Sequence, residues 1–146
     1  MITPFIFDPN NKPSAAVQSQ ILDFLFEHLD QYGDAREAIN QCLKYALKEI
    51  ESFGGKVFVI ASDDEIIGCS IVNHTGMKGY IPENILVYIA IHQNHRGEGL
   101  GSQLMTLITE NLDGDIALHV EANNPAKFLY EKYGFTNPYL EMRLKR

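Results

Sequence analysis

The sequence predicts an α/β fold: a mixed, mostly antiparallel, twisted sheet of six to seven strands with helices on both faces. Three observations predict it. Short apolar runs bounded by turn residues recur along the chain, as strands do. Between them lie stretches whose apolar residues return at helical spacing, leaving one side to be buried. Two of the strands are joined through a helix, which makes that pair parallel inside an otherwise hairpin-connected sheet.

Each element has its own justification. Residues 2–7 alternate weakly and predict a first strand. Pro9-Asn10-Asn11-Lys12-Pro13 is a turn, and Ser14 is placed to cap a helix. That helix carries Val17, Ile21, Phe24, Leu25, His28, Leu29 and Tyr32 and stops at Gly33. Asp34 with Glu37 has capping-box spacing for a second helix. Its stripe is Ala38, Ile39, Cys42, Leu43, Ala46, Ile50 and Phe53, ended by Gly54-Gly55. Residues 56–62 and 66–72 form a strand hairpin around Asp63-Asp64. A loop covers 76–82, and 85–91 is a buried strand. Leu100, Leu104, Leu107, Ile108 and Leu112 mark a third helix. After Asp113-Gly114, residues 116–122 alternate as a strand parallel to 85–91. Ala126 to Tyr133 is a short helix with Pro125 near its first turn and Gly134 as its stop. Phe135–Thr136 and then Leu140, Met142 and Leu144, alternating with Glu141 and Arg143, predict two last strands. The order is β-α-α-β-β-β-α-β-α-β-β.

At 146 residues the chain suits one domain, 1–146, with a sizeable core. Hydrophobic residues at 45% and charged residues at 21% are ordinary for a globular protein. No apolar run approaches the ~20 residues that span a bilayer, and the N-terminus lacks a basic n-region with a cleavage site. A cytoplasmic location, away from membranes, is the expectation. Cys42 on a helical stripe and Cys69 in a strand are expected as reduced core residues. A net charge of −7 argues against nucleic acid as a partner and suits a cationic substrate. No cluster has metal-ligand spacing, so no metal is expected.

The chemistry gathers in His92-Gln-Asn-His95-Arg96-Gly97-Glu98-Gly99-Leu100-Gly101-Ser102, a turn between a strand and a helix. The first amides of a helix have no intrahelical partner, and the helix dipole makes them a seat for a diphosphate. A P-loop would need a Lys after the glycines. A dinucleotide fingerprint on Gly97 and Gly99 meets Ser at 102 and comes late in the chain. Arg-x-x-Gly-x-Gly is met by Arg96, Gly99 and Gly101. Between Ile85 and Gln103 the formal charges, Arg96 and Glu98, cancel, so amides, dipole and guanidinium would carry the anion.

This loop resembles the acyl-CoA-binding loop of the GNAT family of N-acetyltransferases. A second segment, Asn123-Asn-Pro-Ala126-Lys-Phe-Leu-Tyr130-Glu-Lys-Tyr-Gly134-Phe135, is similar to that family's second motif and follows at family spacing. The resemblance is firm over about residues 56–137 and implies the acyl-CoA N-acyltransferase fold. It implies acetyl-CoA as co-substrate and direct attack by a primary amine. Ile89, Ala90 and Ile91 would offer backbone groups to the pantetheine arm. Arg96, Gly97, Glu98, Gly99, Leu100, Gly101 and Ser102 would hold the diphosphate, and Asn123 would bond the arm. Ala126, Phe128, Leu129 and Tyr133 would flank the ligand or pack the helix. The two parallel strands would splay to admit the thioester.

Tyr130 matches the tyrosine to which the family assigns the general acid, although a core aromatic has the same spacing. Glu83 is the candidate base, because carboxylates in that neighbourhood serve so in some family members; after Pro82 in a loop, the residues themselves read better as a solvated surface carboxylate. Glu121, His74, His92, His95 and His119 also have structural readings, and water can replace a dedicated base. Asp30, Asp34 and Glu37 gather near the first helix–helix turn, where they could draw a cation or simply be solvated. Acceptors in the family include small amines, aminoglycosides, polyamines, amino acids and protein termini. The resemblance leaves room for a homodimer. A competing class is a non-catalytic acyl-CoA-binding sensor or regulatory domain.

Overall fold

A computed structural model describes residues 1–146. Its centre is a five-stranded sheet whose spatial order follows the chain: β1 (Ile2–Phe7), β2 (Gly55–Ser62), β3 (Glu65–His74), β4 (Asn84–Ile91) and β5 (Ile116–Leu118). The first four strands pair antiparallel, and β4 pairs β5 parallel, as a helical connection demands. β1 tolerates Pro4 because it is an edge strand with a partner on one side. The β2–β3 turn, Asp63-Asp64, has φ of 51° and 65°, the left-handed pair that matches strand twist in a two-residue hairpin.

Four helices cover the sheet: α1 (Ala15–His28), α2 (Arg36–Leu47), α3 (Leu100–Glu110) and α4 (Ala126–Lys132). Strand side chains alternate faces, so Val57 and Val59 join Cys69, Ile71, Tyr88 and Ala90 beneath α1 and α2. Phe58 and Ile60 join Ile67, Val72 and Leu86 beneath α3 and α4. The Ser14 hydroxyl accepts from the Val17 amide at 3.2 Å, as capping requires. Both cysteines are buried and free, and no helix is long and apolar enough to cross a membrane.

The structure corrects several expectations. The sheet has five strands, not six to seven, and the predicted element order holds only as far as α4. Residues 135–146 form no strand, and Leu140, Met142 and Leu144 are exposed. Alternation supplies a face but not a ladder, and here no strand lies alongside to complete one. The predicted strand 116–122 shrinks to Ile116–Leu118, because its pairing with β4 stops at Leu86 although β4 runs on to Ile91. α1 ends at His28 and passes into a 3-10 turn, Asp30–Tyr32. α2 stops at Leu47 with Lys48 in the left-handed conformation, well before Gly54. Asp34 does not cap α2; Ala35 sits at that position with no side-chain bond.

Candidate functional site

The sheet opens between β4 and β5. The two strands pair only from Asn84–Leu86 to Ile116–Leu118, while β4 runs on to Ile91. Val87 is skipped in the β3–β4 register, a bulge beside the end of that pairing. Opposite residues in an antiparallel pair alternate between bonded and non-bonded. The His92 amide donates to Ile67 O at 2.8 Å, so Ala90, opposite Cys69, also faces β3. Ile89 and Ile91 therefore turn their main-chain groups away from β3, into the opening. The Ile91 carbonyl accepts from Arg96 Nε at 3.2 Å, leaving the Ile91 amide and both Ile89 groups free.

Past β4 the chain makes a 3-10 turn, Gln93–His95, and then the glycine loop. Gly97 and Gly99 both have φ of +81°, a conformation that disfavours any Cβ, and Gly99 is the N-cap of α3 with no side-chain bond. The first protein-bonded amide of α3 is that of Gln103, which donates to Gly99 O at 3.1 Å. The amides from Gly97 through Ser102 have no partner in the protein. A Cβ at Gly97 or Gly99 would meet open space, so the loop presents bare main chain to solvent. Gly101 serves a different purpose: a Cβ there would lie 3.1 Å from Leu129 Cδ2, so it permits close approach of α4 to α3.

Arg96 is anchored to the protein by three of its five N–H groups. Its Nη1 lies 3.0 Å from Asp30 Oδ2, and its Nη2 donates to His28 O at 2.9 Å. With the bond to Ile91 O, the side chain ties the end of β4 to the C-terminal end of α1. The guanidinium thus shapes the loop, and it keeps one N–H on each terminal nitrogen besides the free amides. Behind it, the rings of His28 and His92 stack at 4.2 Å. His28 is buried, and burial with the neighbouring His92 lowers its pKa. Its Nδ1 accepts the Gln93 amide at 3.3 Å. His95 pairs with Glu98 at 3.2 Å. These histidines pack or brace the turn.

α4 lies across α3. Asn124 Oδ1 accepts the Ala126 amide at 2.9 Å, bracing the turn before α4. The Tyr133 hydroxyl donates to Ser102 O at 2.6 Å and meets Thr106 Oγ1 at 2.7 Å, so Tyr133 joins the helices. Tyr130 is 7% exposed and packs in the same apolar cluster as Leu86 and Leu118, where the β4–β5 pairing ends. Burial pushes its phenol up to about 12. Its hydroxyl has no protein partner and still touches accessible space. Phe128 is exposed on α4, with Lys127 Nζ 5.4 Å from its ring centre. Asn123 is exposed in the turn before α4, its side-chain amide free of protein partners.

Glu83 is not brought together with Tyr130. It lines a separate cavity of about 300 Å³ with Lys56, His74, Asn84 and Asp113, before the paired stretch of β4. His74 there is fixed by Asn84: the Asn84 amide donates to Asp113 O and Asp115 O, so its oxygen faces His74 Nδ1 at 2.8 Å. His119 and Glu121 are exposed beyond the end of β5. No group of three His, Cys, Asp or Glu residues could hold a metal. Two contacts had no sequence signal. Tyr88 of β4 donates to Asp34 at 2.5 Å across a separation of 54 residues, and Arg96 reaches Asp30 across 66.

The model of the acetyltransferase (GNAT) domain matches residues 53–137. No curated protein matches the sequence. A ribosomal-protein-alanine N-acetyltransferase from Brucella melitensis biovar Abortus 2308 superposes with a TM-score of 0.68 at 12% identity, over 100% of this chain and 99% of that one. An aminoglycoside acetyltransferase from an uncultured soil metagenomic sample gives 0.68 at 17% identity, over 100% and 99%. A ribosomal-protein alanine N-acetyltransferase from Escherichia coli gives 0.70 at 15%, over 94% and 80%. At these identities the likeness is one of fold.

Proposed function

This chain belongs to the GNAT family of acetyltransferases, and we propose that it transfers the acetyl group of acetyl-CoA to a primary amine by direct attack in a ternary complex. One observation carries the reading: the unpartnered amides from Gly97 through Ser102 lie at the start of α3, beside a strand edge that is itself unpaired. The first feature suits a diphosphate. The second suits an amide-bearing arm, which can bond the free groups of Ile89 and Ile91 as an added strand would. An arm running back from Ile91 to Val87 covers about 13 Å at ~3.3 Å per residue. It then ends at the bulge, level with the apolar cluster that holds Tyr130.

In the reaction the amine nitrogen forms a bond to the thioester carbon, the carbon–sulfur bond breaks, and the thiolate leaves with its electron pair. A thiol titrates near ~8.5, so full proton transfer from Tyr130 at about 12 is uphill by roughly 5 kcal/mol. Tyr130 therefore acts as a hydrogen-bond donor that strengthens as charge builds on sulfur. The ammonium proton leaves through water, and Glu83 is not required on this route.

The test pairs calorimetric titration of coenzyme A with a thiol-release assay over a panel of amines. Saturable binding and amine-dependent thiol release are expected. Binding without release from any amine would favour the sensor class, and no binding would overturn the placement of the donor.

A further inference from the structure

Two imidazoles pin the turn that carries the glycine loop. The first amides of that turn are those of Gln93 and Asn94. The Gln93 amide donates to His28 Nδ1 at 3.3 Å, and the Asn94 amide donates to His92 Nδ1 at 3.1 Å. A ring nitrogen accepts an N–H only while it carries no proton, so these bonds fix both tautomers. The proton of each neutral ring is then on Nε2. Each Nε2 faces a carboxylate, Glu27 at 3.7 Å from His28 and Glu65 at 3.3 Å from His92.

A second proton can enter either ring only at Nδ1. There it points at a main-chain N–H, the nitrogen stops accepting, and the turn loses a bond that held it. The surroundings weigh on this step. His28 is 6% exposed, packed on the Phe24 ring of α1. Burial lowers its pKa, as do His92 and Arg96, against Glu27 and Asp30. His92 has Glu65 of β3 and the edge of His95 beside it, and His95 is itself paired with Glu98. The ring centres of His28 and His92 are 4.2 Å apart, so a charge on one opposes a charge on the other and the two titrate as a pair.

We propose that His28 and His92 are positioning residues for the acyl-CoA-binding loop, and that protonation at Nδ1 releases the turn and weakens coenzyme A binding in acid. This rests on the reading of the loop as the diphosphate site. The bound form keeps the turn intact and so excludes a proton from both Nδ1 atoms. Binding is therefore full at about pH 7.5 and is lost as pH falls through and below the ordinary imidazole value near ~6.5. Imidazolium acting only as a cation near the diphosphate would do the opposite, because it attracts the anion.

The test titrates coenzyme A calorimetrically between about pH 7.5 and about pH 5.5, into wild type and into the His28→Asn, His92→Asn double variant. Asparagine carries Oδ1 on Cγ, as imidazole carries Nδ1, so it keeps the acceptor without the base. The ligand's own phosphate titration is common to both proteins and cancels in their ratio. Wild type is expected to lose about tenfold in affinity relative to the double variant, the effect of excluding one proton one pH unit below its pKa. His92→Asn alone, at a side chain 16% exposed, covers the case in which the buried replacement fails to fold, and should remove part of the loss. Nitrogen-15 NMR without coenzyme A gives a second readout. At about pH 7.5 both rings should hold their proton on Nε2, and the Gln93 and Asn94 amides should lose protection from exchange as the rings titrate. An affinity that rises in acid relative to the variant, an equal loss in both proteins, or a proton on either Nδ1 at about pH 7.5 overturns the inference. Rings and amides that titrate as stated in a protein that binds no coenzyme A at any pH count against the acyl-donor reading alone.

Discussion

Replacing Gly99 by Ala separates two roles of the glycine loop, conformation and ligand access. Gly99 has φ of +81°, and a Cβ there meets no protein atom within 4 Å. The cost to folding is therefore backbone strain alone, about 1–2 kcal/mol for an L-residue held left-handed. Unfolding entropy near ~2.1 cal/mol/K per residue converts this to a fall in Tm of about 3–7 °C for 146 residues. Gly79 supplies a matched control, with φ of +85° and equally open space. It lies in the loop before β4, about 26 Å from the glycine loop if eight strand residues advance ~3.3 Å each. Gly99→Ala and Gly79→Ala should lose similar amounts of Tm without ligand. Coenzyme A at a hundredfold excess over Kd stabilises by ~2.7 kcal/mol, a rise of about 9 °C. Wild type and Gly79→Ala should show that rise in a thermal melt, and Gly99→Ala should lose most of it, because its methyl occupies the approach to the amides. An undiminished coenzyme A response in Gly99→Ala would refute the placement of the diphosphate.

Other outcomes follow from the same geometry. Tyr130→Phe should lower turnover by ~10²-fold while changing coenzyme A affinity and Tm little, since the hydroxyl has no protein partner; equal turnover would assign Tyr130 to packing. Alkali should destabilise the fold from about pH 9. Burial raises the thiols of Cys42, to about 12, and Cys69, so above pH 9 the unfolded chain releases protons that the folded one retains. The slope is up to ~1.4 kcal/mol per pH unit for each thiol, and urea titrations of the Cys42→Ala, Cys69→Ala double variant should show a later onset. Arg96→Gln and Asp30→Asn should each weaken coenzyme A binding indirectly, by loosening the loop. A double-mutant cycle on thermal stability should give a coupling of ~0.2–1 kcal/mol for this half-exposed pair; a coupling of zero would mean that Asp30 does not hold the guanidinium.

The parts of this protein legible in its sequence are those fixed by near neighbours. The Asp63-Asp64 turn, the Ser14 cap and the stripe of α3 each depend on residues a few positions apart, and each stands where local chemistry puts it. The same is true of the loop: Gly97 and Gly99 adopt the left-handed backbone that glycine permits, and the helix behind them leaves its first amides free. Locality also explains the errors. Asp34 has the spacing of a helix cap, but a tyrosine 54 residues away takes its carboxylate. Leu140, Met142 and Leu144 alternate as a strand does, but alternation cannot provide the neighbouring strand that a ladder needs.

The order of residues thus determined that a strand, a glycine turn and a helix would follow one another, and with them the start of a helix able to receive an anion. Only the tertiary structure decided which groups face that place. Arg96 could be counted as a free cation until folding carried Asp30 and the His28 carbonyl to it. Gly101 could be counted for its amide alone until α4 came to rest beside it and gave the missing Cβ a second reason. The reason is physical: backbone conformation answers to steric limits within a few residues. The partner of a side chain answers to whichever distant segment the hydrophobic core brings alongside.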